Sequence, residues 1–491
     1  MTLRQKALSG AKWTTTSTGI NMILQFIQLA LIARILGPSA LGLMGMVMIV
    51  IGFSQAFADM GISNAIIHRQ SITKKQLSSL YWLNIFAGLV IFILLIIISP
   101  FVASFYQEPK IQELIYWAAA IFLITPFGQQ FQILLQKELK FNYLAKIEVI
   151  STLVGTITTI TFAYLGYGVI TIVWGQLANA TIKVVLLVAF VGRDWKPQIH
   201  FNKSDLEGFL SFGLYQMGER TLNYFNKNLD YIVIGKFLGP EALGYYTLAY
   251  NLIILPVSKI NPIITRVAFP IFSKVQDQNS KLRKGYLQIL NILSFVNFPI
   301  FIGLASTSLL FVPTIFGEEW SNSILLIQIL AGVGLLRSTG NPAGSLLLSK
   351  GRADLGFKWN LLLMFTQVPG ILLGLFYGGV VGVAIAYLFL EIIYCILNYR
   401  IIIRGLIGPC LVEYIGSMWS ALWISIVMGV IVFTSSAFFQ FESSMTNLIV
   451  QIIIGLLIYL ILSLKFNKDI TVELKRFVQN KFFRRDNAVE R

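Results

Sequence analysis

The sequence predicts an all-α integral membrane protein with about fourteen transmembrane helices: two six-helix lobes in parallel repeat plus two C-terminal helices, both termini cytoplasmic. Three observations lead there. Apolar residues make up 56% of the 491 and charged residues 12%, against roughly 25% charged in soluble domains. The apolar residues come in stretches of about 20, the length that crosses a bilayer. Lys and Arg alternate between dense and sparse in successive connecting segments, as short loops on the two sides of a membrane do. The formal charge of +16 is spread through those segments instead of forming one soluble basic face, which excludes a nucleic-acid partner and marks the bilayer surface.

In chain order the spans fall near 13–35, 41–66, 78–104, 112–135, 146–165, 168–191, 208–237, 242–271, 287–314, 322–348, 356–377, 379–399, 412–437 and 446–464. The first is expected to be retained, because Thr14 to Thr18 is polar where a cleavable signal needs an apolar segment. The third contains the unbroken apolar run Leu89 to Ile98; the seventh is the most polar. Omitting the seventh would invert every later orientation, and the basic residues argue for keeping it. With the N-terminus inside, 29 of the 38 Lys and Arg lie in cytoplasmic segments, six lie within spans, and Arg34, Lys110 and Lys236 lie on the exported side. The resulting division is an N-lobe 1–192, a cytoplasmic linker 193–207, a C-lobe 208–405, helices thirteen and fourteen in 406–465, and a basic tail 466–491. In the tail, Ile470, Leu474, Phe477, Val478 and Phe482 near one stripe suit either a helix on anionic lipid or a solvated segment.

An internal repeat supports two lobes. Leu36-Gly37-Pro38-Ser39-Ala40-Leu41-Gly42 recurs as Leu238-Gly239-Pro240-Glu241-Ala242-Leu243-Gly244, with six of seven positions matching at a shift of 202. Arg34 then meets Lys236, Asn21 meets Asn223, and Asp59 meets Asn261; Tyr164 and Gly166 meet Tyr377 and Gly379 at a shift of 213. Helix one thus corresponds to helix seven, an even separation, so both copies cross in the same direction. Two such bundles are suited to alternating access, one rocking against the other. A Gly-Pro string by itself reads as a turn between helices.

Charges in the hydrocarbon are costly, so they face a cavity, pair, or snorkel. Helix seven carries Glu219, Arg220, Asn223, Asn226, Lys227, Asn228 and Asp230, mostly on one face. Lys259 and Arg266 in helix eight, Arg337 in helix ten and Glu391 in helix twelve add to it. Cations outnumber anions, and Arg and Lys suit phosphate oxygens, so an anionic ligand is one reading. Internal pairing, of Lys227 with Asp230 and of Arg337 with Glu391, is the other. Asp59 reads as a coupling carboxylate or as a local helix-break device.

Absences narrow the class to a non-enzyme. There is no G-x-x-x-x-G-K-[ST] phosphate loop and no D-x-D for a metal-bound sugar nucleotide. His68 and His200 lie in separate loops, and Cys395 and Cys410 make neither a disulfide framework nor a metal site, so no metal and no cofactor is expected.

Arg34-Ile35-Leu36-Gly37-Pro38 leading to Phe57-Ala58-Asp59-Met60-Gly61-Ile62 and His68-Arg69 resembles the first two helices of the polysaccharide-transporter branch of the multidrug/oligosaccharidyl-lipid/polysaccharide exporter superfamily. Asn228-Leu229-Asp230 to Leu238-Gly239, followed by Phe269-Pro270-Ile271-Phe272-Ser273-Lys274, is similar to that branch's helices seven and eight, especially in its colanic-acid and teichuronic-acid exporters. The likeness spans about 1–405.

The resemblance implies a flippase in a bacterial or archaeal cytoplasmic membrane. Its cargo would be a polyprenyl-diphosphate-linked oligosaccharide, with glycosyltransferases and a polysaccharide polymerase as partners in surface-polysaccharide assembly. Combined with the polar stripe, it assigns diphosphate binding to Arg220, Lys227, Lys259 and Arg337, with Arg266 a contact where cargo enters. Asn223, Asn226, Asn228, Asp230, Tyr246 and Tyr250 would line a polar, sugar-binding cavity; Glu391 and Asp59 are the coupling candidates. The alternatives are a drug or metabolite antiporter of the same fold, a lipid II flippase and, from another class, a membrane glycan polymerase.

Overall fold

The computed structural model describes residues 3–58, 66, 72–191, 195–206, 210–438 and 441–467. Asp59, His68 and the basic tail lie outside the described residues, as do the side chains of Glu219, Arg220 and Arg266. The described chain is helical, without strands, and eleven of its helices are long and apolar enough to cross a membrane. It is a multi-pass membrane protein. Backbone hydrogen bonds closed within each helix are what hydrocarbon demands, since no water is there to satisfy an open strand edge.

Three of these helices are interrupted once, and each interruption falls where the sequence suggests a turn. Leu3–Ala58 breaks at Gly37 (φ 73°, ψ 179°) and Leu210–Lys274 at Gly239 (φ 81°, ψ −176°). Both glycines of the repeated string therefore hold the same backbone conformation, one essentially closed to residues with a Cβ. Pro38 and Pro240 follow at once. Proline starts a helix at no hydrogen-bonding cost, because first-turn N–H groups have no intrahelical acceptor. Ala353–Leu397 is interrupted at Gly378 and Gly379. Each of the three is thus divided into two helical segments at glycine.

The chain forms two compact units. The first comprises residues 1–248 and 375–380. Within it the two copies of the string meet reciprocally: a methyl group on Gly42 would run into the Pro240 carbonyl, and one on Gly244 into the Pro38 carbonyl. Such direct backbone contact between helices needs small residues on both sides. In this unit Tyr81 meets Phe131 and Trp195 edge to face, and Phe131 and Trp195 lie tilted, with centroids 5.4–6.2 Å apart, in a core with Leu80, Ile133, Ile147 and Leu187. The linker docks there. Gln198 N–H donates to the Ser78 hydroxyl (3.0 Å), Asn202 N–H to the Ser79 hydroxyl (3.1 Å), and Trp82 Nε1 to the Gln198 carbonyl (2.8 Å). Thr73 and Gln76 form a reciprocal capping box at the start of Lys74–Tyr106, the helix that carries Ser78, Ser79 and Trp82.

The second unit comprises 249–374 and 381–491. Phe272, Tyr286, Leu290, Leu346, Tyr399 and Tyr414 belong to its buried core. The last two spanning helices, Leu411–Phe438 and Ser444–Phe466, pack on Asn279–Ile315: Tyr459 donates to the Phe295 carbonyl (2.7 Å), and Gly429 seats against Ile302. Outward faces stay apolar. Phe86, Ile97 and Phe101 are 63, 58 and 72% exposed, which in water would be an aggregation surface and in a bilayer is the lipid contact.

Candidate functional site

The polar interior of the second unit centres on the Arg337-Ser338 pair near the end of the Asn322–Gly340 helix. Arg337 donates from Nη1 to the Tyr250 hydroxyl (2.9 Å) and from Nη2 to the Tyr387 hydroxyl (2.6 Å), and its Nε pairs with Glu391 at 3.3 Å. Its guanidinium also sits 5.3 Å from the Tyr387 ring centroid. Tyr250 and Tyr387 are buried; the Arg337 side chain retains 26% of its exposure and Glu391 14%. Internal pairing of Arg337 with Glu391, one of the two sequence readings, is thus what the structure contains. These contacts engage three of the five donors a guanidinium carries. Two donors remain beyond these contacts.

Beside it, Asn261 donates to the Ser338 carbonyl (3.0 Å) and accepts from Asn297 (2.9 Å), which also donates to the Leu293 carbonyl (2.9 Å). Asn261, Asn297 and Ser338 are fully buried. A buried amide requires partners, so this triad holds three helices in one register around Arg337. The sequence reading missed Tyr387, Asn297 and Ser338. A tyrosine at i−4 from Glu391 on one helix was the signal that could have pointed to Tyr387.

In the first unit, Tyr246 donates to Asp230 Oδ2 at 2.6 Å, both fully buried, and Tyr231 packs edge-on to Tyr246 at 5.6 Å. Two predicted cavity residues are therefore brought together, as each other's partner. Asn228 donates to the Tyr224 carbonyl one turn back (2.8 Å), and the Tyr224 hydroxyl donates to the Met48 carbonyl (3.1 Å). Asn223 and Asn226 are half-buried and Lys227 is exposed. A further polar contact unforeseen in the sequence joins Gln28 to Thr156 (3.0 Å) and Thr159 (3.3 Å). Lys259, in the second unit, is half-buried and takes no part in an ion pair among the described residues.

Among the described residues no group of three or more His, Cys, Asp or Glu could hold a metal ion. What the second unit offers is a guanidinium held by two tyrosines and a carboxylate inside membrane-spanning helices.

Comparison with known proteins adds four findings. A family model described as polysaccharide biosynthesis protein matches residues 31–325. The chain is 37% identical over 426 residues to the lipopolysaccharide biosynthesis protein WzxC of Escherichia coli, covering 87% of each chain. It is 38% identical over 472 residues to the teichuronic acid biosynthesis protein TuaB of Bacillus subtilis, covering 94% of this chain and 96% of that one. Among solved structures, the lipid II flippase MurJ in an inward closed conformation matches with a TM-score of 0.76 at 15% identity, covering 93% of this chain and 99% of that one; this likeness is one of fold.

Proposed function

This chain belongs to the polysaccharide biosynthesis protein family, and we propose that it flips lipid-linked oligosaccharide repeat units across the cytoplasmic membrane for surface-polysaccharide assembly. The observation that carries this reading is near full-length relatedness to two proteins named for the biosynthesis of surface polymers, on a fold shared with a flippase. The cargo is a polyprenyl diphosphate bearing sugars, and the process is transport, not bond making. Glycosyltransferases supply this substrate and a polymerase consumes the product.

In this reading each of the three interrupted helices makes two crossings, so that the chain crosses fourteen times with both termini cytoplasmic; the glycine breaks support that count. The lobes 1–192 and 208–405, the linker and the C-terminal pair 406–465 are the working division for alternating access. In this reading the two remaining donors of Arg337 meet a diphosphate oxygen. Arg220, Lys227 and Lys259 add positive charge, and Arg266 meets cargo as it enters. Asn223, Asn226, Asn228, Tyr246 and Tyr250 line the path of the sugars. Glu391, paired with Arg337, and Asp59 are the coupling candidates, and Asp230 belongs to the polar cavity.

The test is where cargo stops in a deletion strain. A flippase defect leaves complete lipid-linked repeat units on the inner face, inaccessible to an external sugar oxidant, and reintroducing the chain restores surface polymer. Repeat units that reach the outer face unpolymerised would instead assign the chain to polymerisation.

A further inference from the structure

A second basic site lies in the second unit, in a cavity separate from the Arg337 cluster. The cavity occupies about 840 Å³ and is lined by Arg283, Arg400, Arg404, Glu413, Ile396 and Val412 among others. It sits where the Asp354–Ile407 span ends and the Leu411–Ser435 span begins, next to the start of Asn279–Ile315. That is the level at which hydrocarbon gives way to headgroups.

Its charge is unbalanced. Arg283 pairs with Glu413 at 2.6 Å, while Arg400 and Arg404 are exposed and in no ion pair among the described residues. Three guanidiniums therefore face one carboxylate. Arg283 contributes a further demand, because its Nε is buried without an acceptor among the described residues. A buried donor of a charged group left unmatched is costly, and an oxyanion would satisfy it.

The backbone brings these cations together. Asn398–Ile403 is a π-helical turn, in which i→i+5 bonding widens the helix; such turns recur at functional sites. Arg400 lies within that turn and Arg404 directly after it, and both line the cavity. The chain then reverses at Gly408 and Pro409, and Cys410 N–H donates to the Tyr399 hydroxyl (3.0 Å), tying the end of one helix to the start of the next.

The walls are as informative as the charge. Ile396, Leu411, Val412 and Ile415 line the same cavity and are 53, 51, 86 and 49% exposed. At the end of a membrane span those side chains face acyl chains, so the occupant must present phosphate to the arginines and hydrocarbon to these residues. A soluble anion leaves the apolar wall unused, and an acidic protein segment leaves it in contact with polar groups. We propose that this cavity binds the phosphodiester headgroup of an anionic phospholipid, with its acyl chains against Ile396, Val412 and Ile415. No step of flipping runs through it.

The experiment uses the full-length protein, delipidated in detergent and titrated with phosphatidylglycerol or phosphatidylcholine, with bound lipid counted by native mass spectrometry. The variant is R400Q/R404Q, at two exposed positions. Phosphatidylglycerol is expected to bind the wild type in preference to phosphatidylcholine and to bind the double variant about tenfold more weakly or worse, with phosphatidylcholine unchanged. V412E, which leaves all three arginines in place, is expected to weaken phosphatidylglycerol as well, and serves alone if the double variant does not fold. Undiminished phosphatidylglycerol binding by these variants overturns the proposal. So does inorganic phosphate competing as well as phosphatidylglycerol, which would make this a free-anion site. Undecaprenyl diphosphate lost from the double variant while phosphatidylglycerol stays would make it a cargo site, and would overturn the proposal equally.

Discussion

Arg337 and Glu391 are ion-paired at 3.3 Å between two membrane-spanning helices, and the same guanidinium donates to Tyr250 and Tyr387. Held on three sides, Arg337 is a preorganised donor whose direction does not depend on cargo.

Replacing Arg337 by Lys retains charge but not the fork, so one ammonium cannot meet both tyrosines and Glu391 in the same geometry. Arg337→Lys is expected to reduce surface polymer at least tenfold, and Glu391→Gln to reduce it less. Breaking a fully buried pair costs about 3–5 kcal/mol. Because Arg337 keeps 26% of its exposure, the loss here is expected to be smaller. Polymer yield in a complemented deletion strain and thermal unfolding of each variant in detergent check both statements; equal activity of wild type and Arg337→Lys would remove Arg337 from the cargo path.

Tyr246→Phe deletes the hydroxyl that donates to buried Asp230. Loss of a hydrogen bond to a buried charged acceptor is expected to cost about 1–3 kcal/mol. The double variant Tyr246→Phe/Asp230→Asn should recover part of that loss, since the unmatched charge is then gone. A double variant no more stable than Tyr246→Phe would contradict the pairing.

At the repeated string, Gly37→Ala and Gly239→Ala place a Cβ on backbone at φ 73° and 81° and should each cost about 1–3 kcal/mol. Gly42→Ala and Gly244→Ala fail for a different reason, collision with the Pro240 and Pro38 carbonyls. All four are expected to lower the amount of folded protein in membranes. A conservative control, Ser39→Ala, is expected to leave it unchanged.

Asp205, on the docked linker, accepts from the Ser79 hydroxyl (2.7 Å) and meets His200 at 2.9 Å. The Ser79 hydroxyl foremost, with His200, holds its carboxyl below the usual carboxylate range. A depressed value means the docked linker gains stability above the ordinary Asp range and loses it as pH falls through the lowered value. Hydrogen exchange over 198–206 should therefore accelerate in acid more steeply in wild type than in Asp205→Asn.

Outward movement of a diphosphate carries about two negative charges, and an inside-negative potential of 100 mV favours that by roughly 4–5 kcal/mol. Flipping in proteoliposomes is expected to speed up when such a potential is imposed with valinomycin. A rate indifferent to the potential would show that protein charges move with the cargo and cancel it.

Much of the architecture was legible because it rests on local rules. Apolar stretches of bilayer length, basic residues in alternate connections, and a Gly-Pro string recurring at a shift of 202 are patterns a linear reading detects, and the helices and the Gly37 and Gly239 breaks follow them. The candidate site was less legible. Asp230 and Arg337 stood out as charges in apolar spans, yet their partners Tyr246, Tyr250 and Tyr387 look in sequence like ordinary packing aromatics.

By itself, then, the sequence determined that the chain crosses a membrane many times, that its string is duplicated, and that its spans carry charges needing a partner. Those properties depend on composition and on neighbours along the chain. Tertiary structure alone decided which partner each charge takes: Glu391 for Arg337, Tyr246 for Asp230, and for Arg400 and Arg404 none among the described side chains. The physical reason is range. A hydrogen bond or ion pair is made within about 3 Å, between groups whose meeting is set by the packing of helices distant in sequence.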